Sequence, residues 1–581
     1  MKLSKKLSTT VRNKKLYIPV IKSLHRFFRD PRNLAIWVCV TLMAANIGLC
    51  YTEGMSLSSS LVNLLLPFGV YMLLMGLWRK TGATTLLMLP FMIFAAFQIV
   101  LIYLYGGSVI AVDMFLNVVT TNVSEAASLL ANLLVAMSIV VVLYIPPLVW
   151  AVWSLIKHRY TGSGFRRKMR MCGLICIATG AVLTAISYAF VPRYSFEHET
   201  FPVNATSNLV EACSRYRETS HHAELAANFT YHATPTHPDS LPEVYLLVIG
   251  ETARGDNWQL GGYNRPTNPR LSAENGVVFF HKSISESNTT HKSVPMLISH
   301  ASAENFDSIA HYKSVITAFR EAGFHTAFIS NQERNRSYTE HFGNEADTTI
   351  YIPTPKGVEH AYDHDLLPKV QSLLADSAHR KQLIVLHTYG SHFRYLDRYP
   401  RKFARFTPDQ TIDATKSNRK ILINAYDNTI LYTDYVLAEL IDTLRKTGVR
   451  SALLYASDHG EDIFDDSRSR FLHASPVPTC YQIHQATLAW LSPELSREDP
   501  AMAEALKANG TKRVAPQKSL FPTIMQLAGV RSPYVTDSLS LVSPRYNPAP
   551  PVYLNDLNKT LPLDDCGLTS ADMIHLLPLL R

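Results

Sequence analysis

Five long apolar stretches in the first third of the chain limit its fold more than any other feature. A helix needs about 20 residues to cross the hydrocarbon core of a bilayer. The stretches run over Leu34–Tyr51, Ser59–Trp78, Thr84–Tyr105, Leu129–Ile156 and Met171–Val191. They are apolar on every face, which argues against the buried helices of a soluble protein. A cleavable signal peptide could account for one of them but not for five. The sequence therefore predicts a transmembrane domain of five helices over residues 34–191.

The distribution of charge predicts how these helices are oriented. Residues 1–191 contain 18 Lys and Arg against 4 Asp and Glu, whereas residues 192–581 contain 38 against 43. The basic residues lie in the arm 1–33 and in the second-to-third and fourth-to-fifth connections, and the other two connections have none. Cytoplasmic loops are enriched in Lys and Arg, so we expect the arm 1–33 to be cytoplasmic and the chain after Val191 to lie outside. Basic charge placed beside apolar spans also argues against a nucleic-acid-binding protein.

The remaining two thirds divide into a polar stretch and a larger domain. Residues 192–240 are rich in His and lack strand patterns, so they are predicted to form a linker that could hold a surface helix. Over residues 241–581 short apolar runs alternate with amphipathic segments, which is typical of an α/β domain. The predicted strands are Val244–Ile249, Val277–Phe280, His325–Ser330, Leu383–Leu386 and Ala452–Ala456, and the clearest predicted helix is Ile423–Lys446.

Side chains that bind metals follow three of these strands. Glu251 comes after the first strand, His392 follows the fourth, and Asp458 with His459 follows the fifth. Open α/β sheets place their sites at the carboxyl ends of the strands. Carboxylates and imidazoles together suit zinc or manganese. Although each residue alone could be a helix cap or a surface charge, the combination predicts a metal site.

Two further patterns remain open on the residues alone. The stretch from Ser285 to Pro295 is rich in hydroxyls, and a hydroxyl beside a metal can serve as a nucleophile. Spacing does not choose among Ser287, Thr289 and Thr290, and a helix cap would explain the stretch equally well. In the outer connection between the third and fourth spans, Asn117, Thr121 and Glu125 recur every four residues. On a helix they form one polar stripe, which by itself is typical of a solvated face.

The cysteines limit covalent cross-links outside the spans. The chain beyond the spans contains Cys213, Cys480 and Cys566, which allow at most one disulfide. No Cys-x-x-Cys pair occurs there, so a cysteine-based zinc site is not supported.

Four motifs, in order and spacing, resemble those of the lipopolysaccharide (lipid A or core) phosphoethanolamine transferases of Gram-negative inner membranes. These enzymes belong to the alkaline phosphatase/sulfatase superfamily, and the resemblance covers nearly the whole chain. The motifs are Gly250-Glu251-Thr252-Ala253-Arg254, Gly262-Tyr263-Asn264-Arg265-Pro266-Thr267-Asn268-Pro269, Ser293-Val294-Pro295 and Ser457-Asp458-His459-Gly460-Glu461. The resemblance implies a five-helix membrane domain followed by a sulfatase-like α/β domain over residues 241–581, with a central mixed, mostly parallel sheet.

The resemblance also implies roles for individual residues. The implied cofactor is zinc, with manganese as the alternative. The implied metal ligands are Glu251, Thr290, Asp458 and His459. The implied catalytic residues are Thr290 as nucleophile, His392 and His473, of which His473 departs slightly from the common spacing. The implied substrate-binding residues are Asn117, Thr121, Glu125, His392 and His473, the first three matching the contacts to the lipid headgroup.

The reaction implied by the resemblance is transfer of phosphoethanolamine from phosphatidylethanolamine to lipopolysaccharide through a phosphoethanolamine-threonine intermediate. The implied setting is the inner membrane, with the catalytic domain of a monomer in the periplasm among membrane lipids. The acceptor, a lipid A phosphate or a core sugar, is left open. The few outer cysteines, and Glu286-Ser287 where Cys-Gly often stands, are more similar to the branch that modifies core sugars.

Three alternatives compete with this interpretation. A phosphoglycerol transferase of the same superfamily shares the five spans and the threonine, but would not need Glu125 as a partner for an ammonium group. A sulfatase needs a modifiable Cys or Ser before x-Pro-x-Arg, and the Cys form is absent. A non-catalytic membrane sensor or scaffold would be expected to have lost one of the four metal-site residues, and all four are present.

Overall fold

The computed structural model describes residues 26–53, 55–105, 109–120, 133–191, 194–354, 361–376, 378–411 and 414–581. The chain forms two compact units. The first unit consists of Met1–Ala111 with Leu133–Val210, and the second of Val112–Asn132 with Glu211–Arg581.

Helices dominate the chain up to residue 225. They are α1 Pro31–Thr52, α2 Leu57–Leu77, α3 Thr81–Leu87, α4 Leu89–Tyr105, α5 Val112–Thr120, α6 Leu134–Ile156, α7 Ser163–Phe190, α8 Phe196–Glu199, α9 Val203–Ser220 and α10 His222–Leu225. The last three lie within the stretch predicted as a linker with a surface helix.

Five candidate membrane spans occur in the first unit. Within the described residues, α1, α2, α6 and α7 are each long and apolar enough to cross a membrane, and α3 with α4 makes a fifth span if the pair is counted as one. These two helices meet at 53°. The bend falls next to Pro90, which has no N–H to donate and disfavours a helical residue before it. The third predicted span is therefore a broken helix.

Small residues bring α2 and α7 close together. A Cβ atom on Gly69 would lie 2.7 Å from the carbonyl oxygen of Gly173, and one on Gly180 would lie 2.9 Å from the Cβ of Leu66. Helices in membranes associate through such glycine contacts, because lipid supplies no hydrophobic driving force between them.

A seven-stranded sheet forms the centre of the second unit, counted over the described residues. Its strands are β1 Glu243–Gly250, β2 Val277–Phe279, β3 His325–Ser330, β4 Thr348–Tyr351, β5 Lys381–His387, β6 Arg450–Ser457 and β7 Thr487–Leu491. Their order across the sheet is β2-β7-β6-β1-β5-β3-β4. Strands β6, β1, β5, β3 and β4 are parallel, whereas β7 runs antiparallel to both β6 and β2. The predicted mixed, mostly parallel sheet is confirmed, and β4 and β7 are additions to the predicted strands.

Helices cover both faces of this sheet. The helices after β1 are α11 Pro269–Ala273, α12 Thr290–Leu297, α13 Val315–Glu321, α14 Tyr338–Gly343, α15 Leu367–Leu374, α16 Arg419–Thr447, α17 Cys480–Ile483, α18 Pro493–Glu498, α19 Pro500–Asn509, α20 Pro516–Leu527 and α21 Ser570–Leu580. Of these, α17 and α21 pack in a separate small core. Alternate residues of β1 enter two separate cores, with Leu247 in the core that holds α20 and Leu246 in the core that holds α16. The central strands are buried on both sides, as parallel sheets require. All seven cysteines are free thiols.

Candidate functional site

Three adjacent strands, β6, β1 and β5, end at the same level of the sheet. Gly250 of β1 is paired with Ser457 of β6, and Ile249 is paired with His387 of β5. The residues that follow these strands therefore emerge side by side at one edge. This register brings Glu251 next to Asp458, as the sequence predicts for the carboxyl ends of parallel strands.

The turn after β1 links the two acidic residues. The backbone N–H of Thr252 donates to Oδ1 of Asp458 at 2.9 Å, and its hydroxyl donates to Oε1 of Glu251 at 2.7 Å. Thr252 adopts a φ of 59°, in the left-handed region that a β-branched residue rarely enters. Backbone strain of this kind is held in place by its surroundings and concentrates at functional sites.

Gly390, in the loop after β5, allows a close approach to Glu251. Its φ is +54°, and a Cβ atom there would lie 2.6 Å from the carbonyl oxygen of Glu251. Both features require glycine. The loop that carries His392 can therefore lie directly against the turn that carries Glu251.

The imidazole of His459 presents a bare nitrogen to its neighbours. Its Nδ1 lies 2.8 Å from the carbonyl oxygen of Gly460, which can only accept, so the ring proton is on Nδ1. Nε2 is left with a lone pair. It lies 3.1 Å from Oδ2 of Asp458, 3.2 Å from Oγ1 of Thr290 and 3.9 Å from Oε1 of Glu251.

Thr290 is the hydroxyl that the fold brings to this point. It is the first residue of α12, and its hydroxyl lies 3.3 Å from Oε1 of Glu251. Ser287 and Thr289, which the residues alone left as alternatives, are hydrogen-bonded to each other at 3.2 Å. The Ser293 hydroxyl in the same helix donates to the carbonyl oxygen of Asp458 at 2.6 Å, which fixes the start of α12 against the site.

Two histidines line the same edge. The His473 ring lies 4.3 Å from the His459 ring and 5.9 Å from the His392 ring, centre to centre. Nδ1 of His473 is 3.0 Å from Oε2 of the buried Glu461, whose other oxygen accepts from the hydroxyl of Tyr395. A carboxylate held in this way fixes the orientation of the imidazole ring.

In the ionisation state that the site favours, one of its two carboxyl groups keeps a proton. Burial, together with the charge of the adjacent Glu251, raises the pKa of Asp458 well above its ordinary value. Burial, followed by the neighbouring His473, lowers the pKa of His459 to about 3, so that this ring is neutral. Without a cation, one proton is therefore held between two buried carboxylates that lie beside a bare imidazole nitrogen.

These residues fit a divalent cation. Oδ2 of Asp458 is buried and has no hydrogen bond to any part of the chain that the structure describes. Ligand atoms of Glu251, His459 and His473 lie within 4.8 Å of one another. Two carboxylates, an imidazole and a hydroxyl form a donor set suited to a transition metal. Asp458 and Thr290 extend the group, as the sequence predicts, and His473 adds a further nitrogen.

Two residues at the carboxyl ends of the strands were not predicted from the sequence to take part in the site. Gln332 donates from its side-chain nitrogen to Oε2 of Glu251 at 3.1 Å and to the carbonyl oxygen of Thr388 at 2.9 Å. It stands two residues after β3, so the same strand-end rule could have found it. Glu461, the partner of His473, belongs to the motif after β6 but received no separate role.

A buried charge cluster holds α5 next to α12. Asp113 lies 2.7 Å from Nζ of Lys292 and 3.0 Å from Nε2 of His291, the two residues that follow Thr290. The carboxylate of Asp556 accepts from the backbone N–H groups of Val112 and Asp113, at 2.8 and 2.9 Å, and so caps the helix.

The predicted headgroup stripe begins on this helix. Asn117 lies on α5, one turn beyond Asp113 and on the same face. Thr121 and Glu125, the other two residues of the stripe, lie outside the described residues.

The family model for Sulfatase matches residues 243–530, which contain the whole sheet and the predicted metal ligands. This region is similar to the sulfatase family. Phosphoethanolamine transferase EptA of Salmonella typhimurium is 31% identical over 307 residues, which are 52% of this chain and 55% of that protein. The chain thus spans about half the length of the curated relatives it matches. The resemblance to lipopolysaccharide phosphoethanolamine transferases in the alkaline phosphatase/sulfatase superfamily is confirmed.

Two solved structures extend the comparison. The zinc complex of the C-terminal periplasmic domain of EcEptC from Escherichia coli has 25% sequence identity and a TM-score of 0.52, covering 58% of this chain and 98% of that chain. The integral membrane protein lipooligosaccharide phosphoethanolamine transferase A from Neisseria meningitidis has 20% identity and a TM-score of 0.69, covering 88% of this chain and 97% of that chain. The second confirms the fold class, apolar helices followed by a sulfatase-like α/β domain. The first, together with the donor set around Glu251, supports a metal at this site.

Proposed function

We propose that the protein transfers phosphoethanolamine from phosphatidylethanolamine to lipopolysaccharide, with Thr290 as the nucleophile. One observation carries the proposal: the Thr290 hydroxyl lies within 3.3 Å of both Glu251 and the bare nitrogen of His459. A nucleophilic hydroxyl placed inside a metal donor set is the arrangement that metal-assisted phosphoryl transfer needs. The relative named phosphoethanolamine transferase supports the identity of the transferred group.

Glu251, Asp458 and His459 would hold the cation together with Thr290, and we propose zinc, with manganese as the alternative. When bound, a divalent cation lowers the proton affinity of an adjacent hydroxyl and offsets negative charge on phosphoryl oxygens. Gln332 and Thr252 orient Glu251 through their hydrogen bonds, so this ligand is fixed before substrate arrives.

The first half-reaction forms a bond between Oγ1 of Thr290 and the phosphorus of the lipid. The Thr290 hydroxyl gives up its proton, the bond from phosphorus to the glycerol oxygen breaks, and diacylglycerol leaves with one proton, so that the step balances. We assign delivery of that proton to His473, whose ring is oriented by Glu461 at 3.0 Å, with His392 as a second group on the phosphoryl side. Thr290 stands at the start of α12, where backbone N–H groups and the helix dipole favour a negative phosphoryl group.

The second half-reaction regenerates the threonine. An oxygen of lipopolysaccharide, from a lipid A phosphate or a core sugar hydroxyl, attacks the same phosphorus, the bond to Thr290 breaks, and the threonine oxygen takes up a proton, from the attacking hydroxyl or from solvent. The family resemblance implies that the ethanolamine headgroup contacts Asn117, Thr121 and Glu125, with Glu125 as the partner of the ammonium group. We carry this assignment over as part of the proposal.

The proposed setting is the inner membrane, with the arm 1–33 cytoplasmic and the sulfatase domain of a monomer in the periplasm. The basic residues of the arm and of two of the connections support this orientation. In this setting the donor lipid and the acceptor lie in the outer leaflet of the inner membrane, on the same side as the domain.

The test is the intact mass of the full-length, zinc-loaded protein after incubation with phosphatidylethanolamine. We expect one phosphoethanolamine adduct on Thr290 that disappears when lipopolysaccharide is added. Thr290→Ala should form none, whereas Thr289→Ala, which removes the adjacent hydroxyl, should form the adduct normally. Activity that persists in folded, metal-loaded Thr290→Ala would overturn the scheme. An adduct from phosphatidylglycerol alone would favour the phosphoglycerol alternative.

A further inference from the structure

A cavity of about 390 Å³ lies in the second unit beside α12, the helix that begins at Thr290 and is called the nucleophile helix below. Small-molecule sites in proteins have volumes of roughly 300–1,000 Å³. His291 and Lys292, which directly follow Thr290, form part of its wall, and Leu116 of α5 forms another part. The metal ligands are not among its lining residues. Because it touches the nucleophile helix without including the reacting groups, the cavity is placed to bind a part of a substrate away from the transferred phosphorus.

The lining of the cavity combines aromatic rings with charged groups. Tyr216, Tyr338 and Phe306 supply the rings, and Glu218, Asp307 and Arg336 supply the charges. Flat aromatic surfaces pack against the C–H faces of a sugar ring. Carboxylates and guanidinium groups make paired hydrogen bonds, which match neighbouring hydroxyls. This combination of groups suits a saccharide.

The charges argue against a phosphodiester in the same place. Lys292 is already paired with the buried Asp113 at 2.7 Å, and Arg215 is paired with Glu211 at 2.9 Å. Besides the paired Glu211, the carboxylates of Glu218 and Asp307 line the cavity and would repel a phosphate group. The exposed Arg336 offers one further cationic group, so a sugar with a single acidic substituent would also fit.

We propose that this cavity binds a saccharide unit of the acceptor, next to the unit that receives phosphoethanolamine. The inference rests on the proposed function and deepens it, because it gives the acceptor a site separate from that of the donor lipid. It makes the sugar part of lipopolysaccharide, rather than its acyl chains, the portion that the second unit recognises. The donor has no sugar, so the donor half-reaction would not use the cavity.

One face of α9 provides suitable test positions. Glu211, Arg215 and Glu218 lie along the side that lines the cavity, whereas the exposed Arg217 is absent from that lining. The test variants are Tyr216→Ala, Glu218→Gln and Arg336→Ala, none of which removes a buried side chain. Arg217→Ala is the matched control on the same helix.

The experiment uses the full-length, zinc-loaded protein and separates three readouts. The first is the rate of Thr290 adduct formation from phosphatidylethanolamine, and the second is discharge of that adduct by lipopolysaccharide. The third is direct binding of deacylated lipopolysaccharide oligosaccharide. We expect each test variant to form the adduct normally. Its oligosaccharide Kd, and the lipopolysaccharide concentration for half-maximal discharge, should rise about tenfold, equivalent to one or two lost contacts. Arg217→Ala should match the wild type in all three readouts.

The outcomes separate this inference from the proposed function. If the test variants bind oligosaccharide and discharge the adduct like the wild type, the cavity is not a saccharide site. Slower adduct formation in these variants would assign the cavity to the donor lipid and overturn the inference. If the wild type forms no adduct but oligosaccharide binding still falls in the variants, the proposed function fails while the saccharide site stands.

Discussion

The bare Nε2 of His459 lies 3.1 Å from Oδ2 of Asp458, so two lone pairs face each other in a buried site. Nδ1 of the same ring is engaged by the carbonyl oxygen of Gly460, so the ring proton cannot relieve this contact. A proton on Asp458 or a cation between the two groups would do so. The site is therefore built for an exchange between a proton and a metal ion.

Zinc affinity should consequently increase with pH. The pKa of Asp458 is raised in the metal-free protein, so the proton that zinc displaces is bound more weakly as pH rises. We expect the apparent affinity to rise with pH, by up to about tenfold per pH unit, wherever the pH lies below the raised pKa of Asp458. Competition with a chromophoric chelator measures it. Asp458→Asn should lose tight binding, and Asp564→Asn, at an exposed position, should bind like the wild type. A pH-independent affinity would contradict the exchange.

Replacement of Gly390 should damage the metal site specifically. The added Cβ of Gly390→Ala would lie 2.6 Å from the carbonyl oxygen of Glu251, at a φ of +54°. We expect a stability loss of about 1–3 kcal/mol and at least about tenfold weaker zinc binding. The control is Gly448→Ala, whose φ is +64° but whose Cβ would meet open space. Gly448→Ala should lose about 1 kcal/mol of stability because of its positive φ, and it should bind zinc normally. Equal zinc affinities in the two variants would refute the steric argument.

Removal of the charge on Asp113 should be costly unless its partner is removed as well. Asp113→Asn leaves the buried Lys292 ammonium without its carboxylate at 2.7 Å. Breaking a buried pair in this way costs about 3–5 kcal/mol. The double variant Asp113→Asn/Lys292→Met should recover much of that loss, as a double-mutant cycle on the free energy of unfolding would measure. Glu494→Gln, which breaks the surface pair with Arg497, should cost less than about 1 kcal/mol. Additive single effects of Asp113 and Lys292 would mean that the pair does not interact.

Glu345 should make the protein less stable as pH rises. Burial raises the pKa of its carboxyl to about 7, although it accepts hydrogen bonds from Ser314 and Thr317. Because the pKa of Glu345 is higher in the folded state, its favourable contribution to the free energy of unfolding is fully present below the pKa of the unfolded chain, about 4.5. That contribution is lost as pH rises through about 7. Glu345→Gln keeps an acceptor without the charge, so the gap in thermal midpoint between this variant and the wild type should widen in its favour from about pH 5 to pH 8. A constant gap would show that Glu345 does not titrate in this range.

Much of the fold follows from local sequence patterns. Apolar runs of about 20 residues predict the spans because backbone groups in lipid must be satisfied within a helix. Short apolar runs predict the buried strands β1, β3, β5 and β6 for a similar reason, since parallel strands are covered on both faces. The break between α3 and α4 next to Pro90, and the strands β4 and β7, were not predicted. Their apolar patterns do not distinguish a straight helix from a bent one, or a strand from another buried segment.

The candidate site, like the fold, could be predicted from the sequence only in part. The sequence determined which side chains follow the ends of strands, so Glu251, Asp458 and His459 could be proposed together as metal ligands. It left Ser287, Thr289 and Thr290 equivalent until a family resemblance favoured the last of them. The tertiary structure separates them, because the register of β6, β1 and β5 and the anchoring of α12 bring the Thr290 hydroxyl to the bare nitrogen of His459. The contacts of Gln332 and of Glu461, and the pair of Asp113 with Lys292, are seen only in the structure. Contacts between residues far apart in the chain depend on how elements pack, which local propensity does not encode.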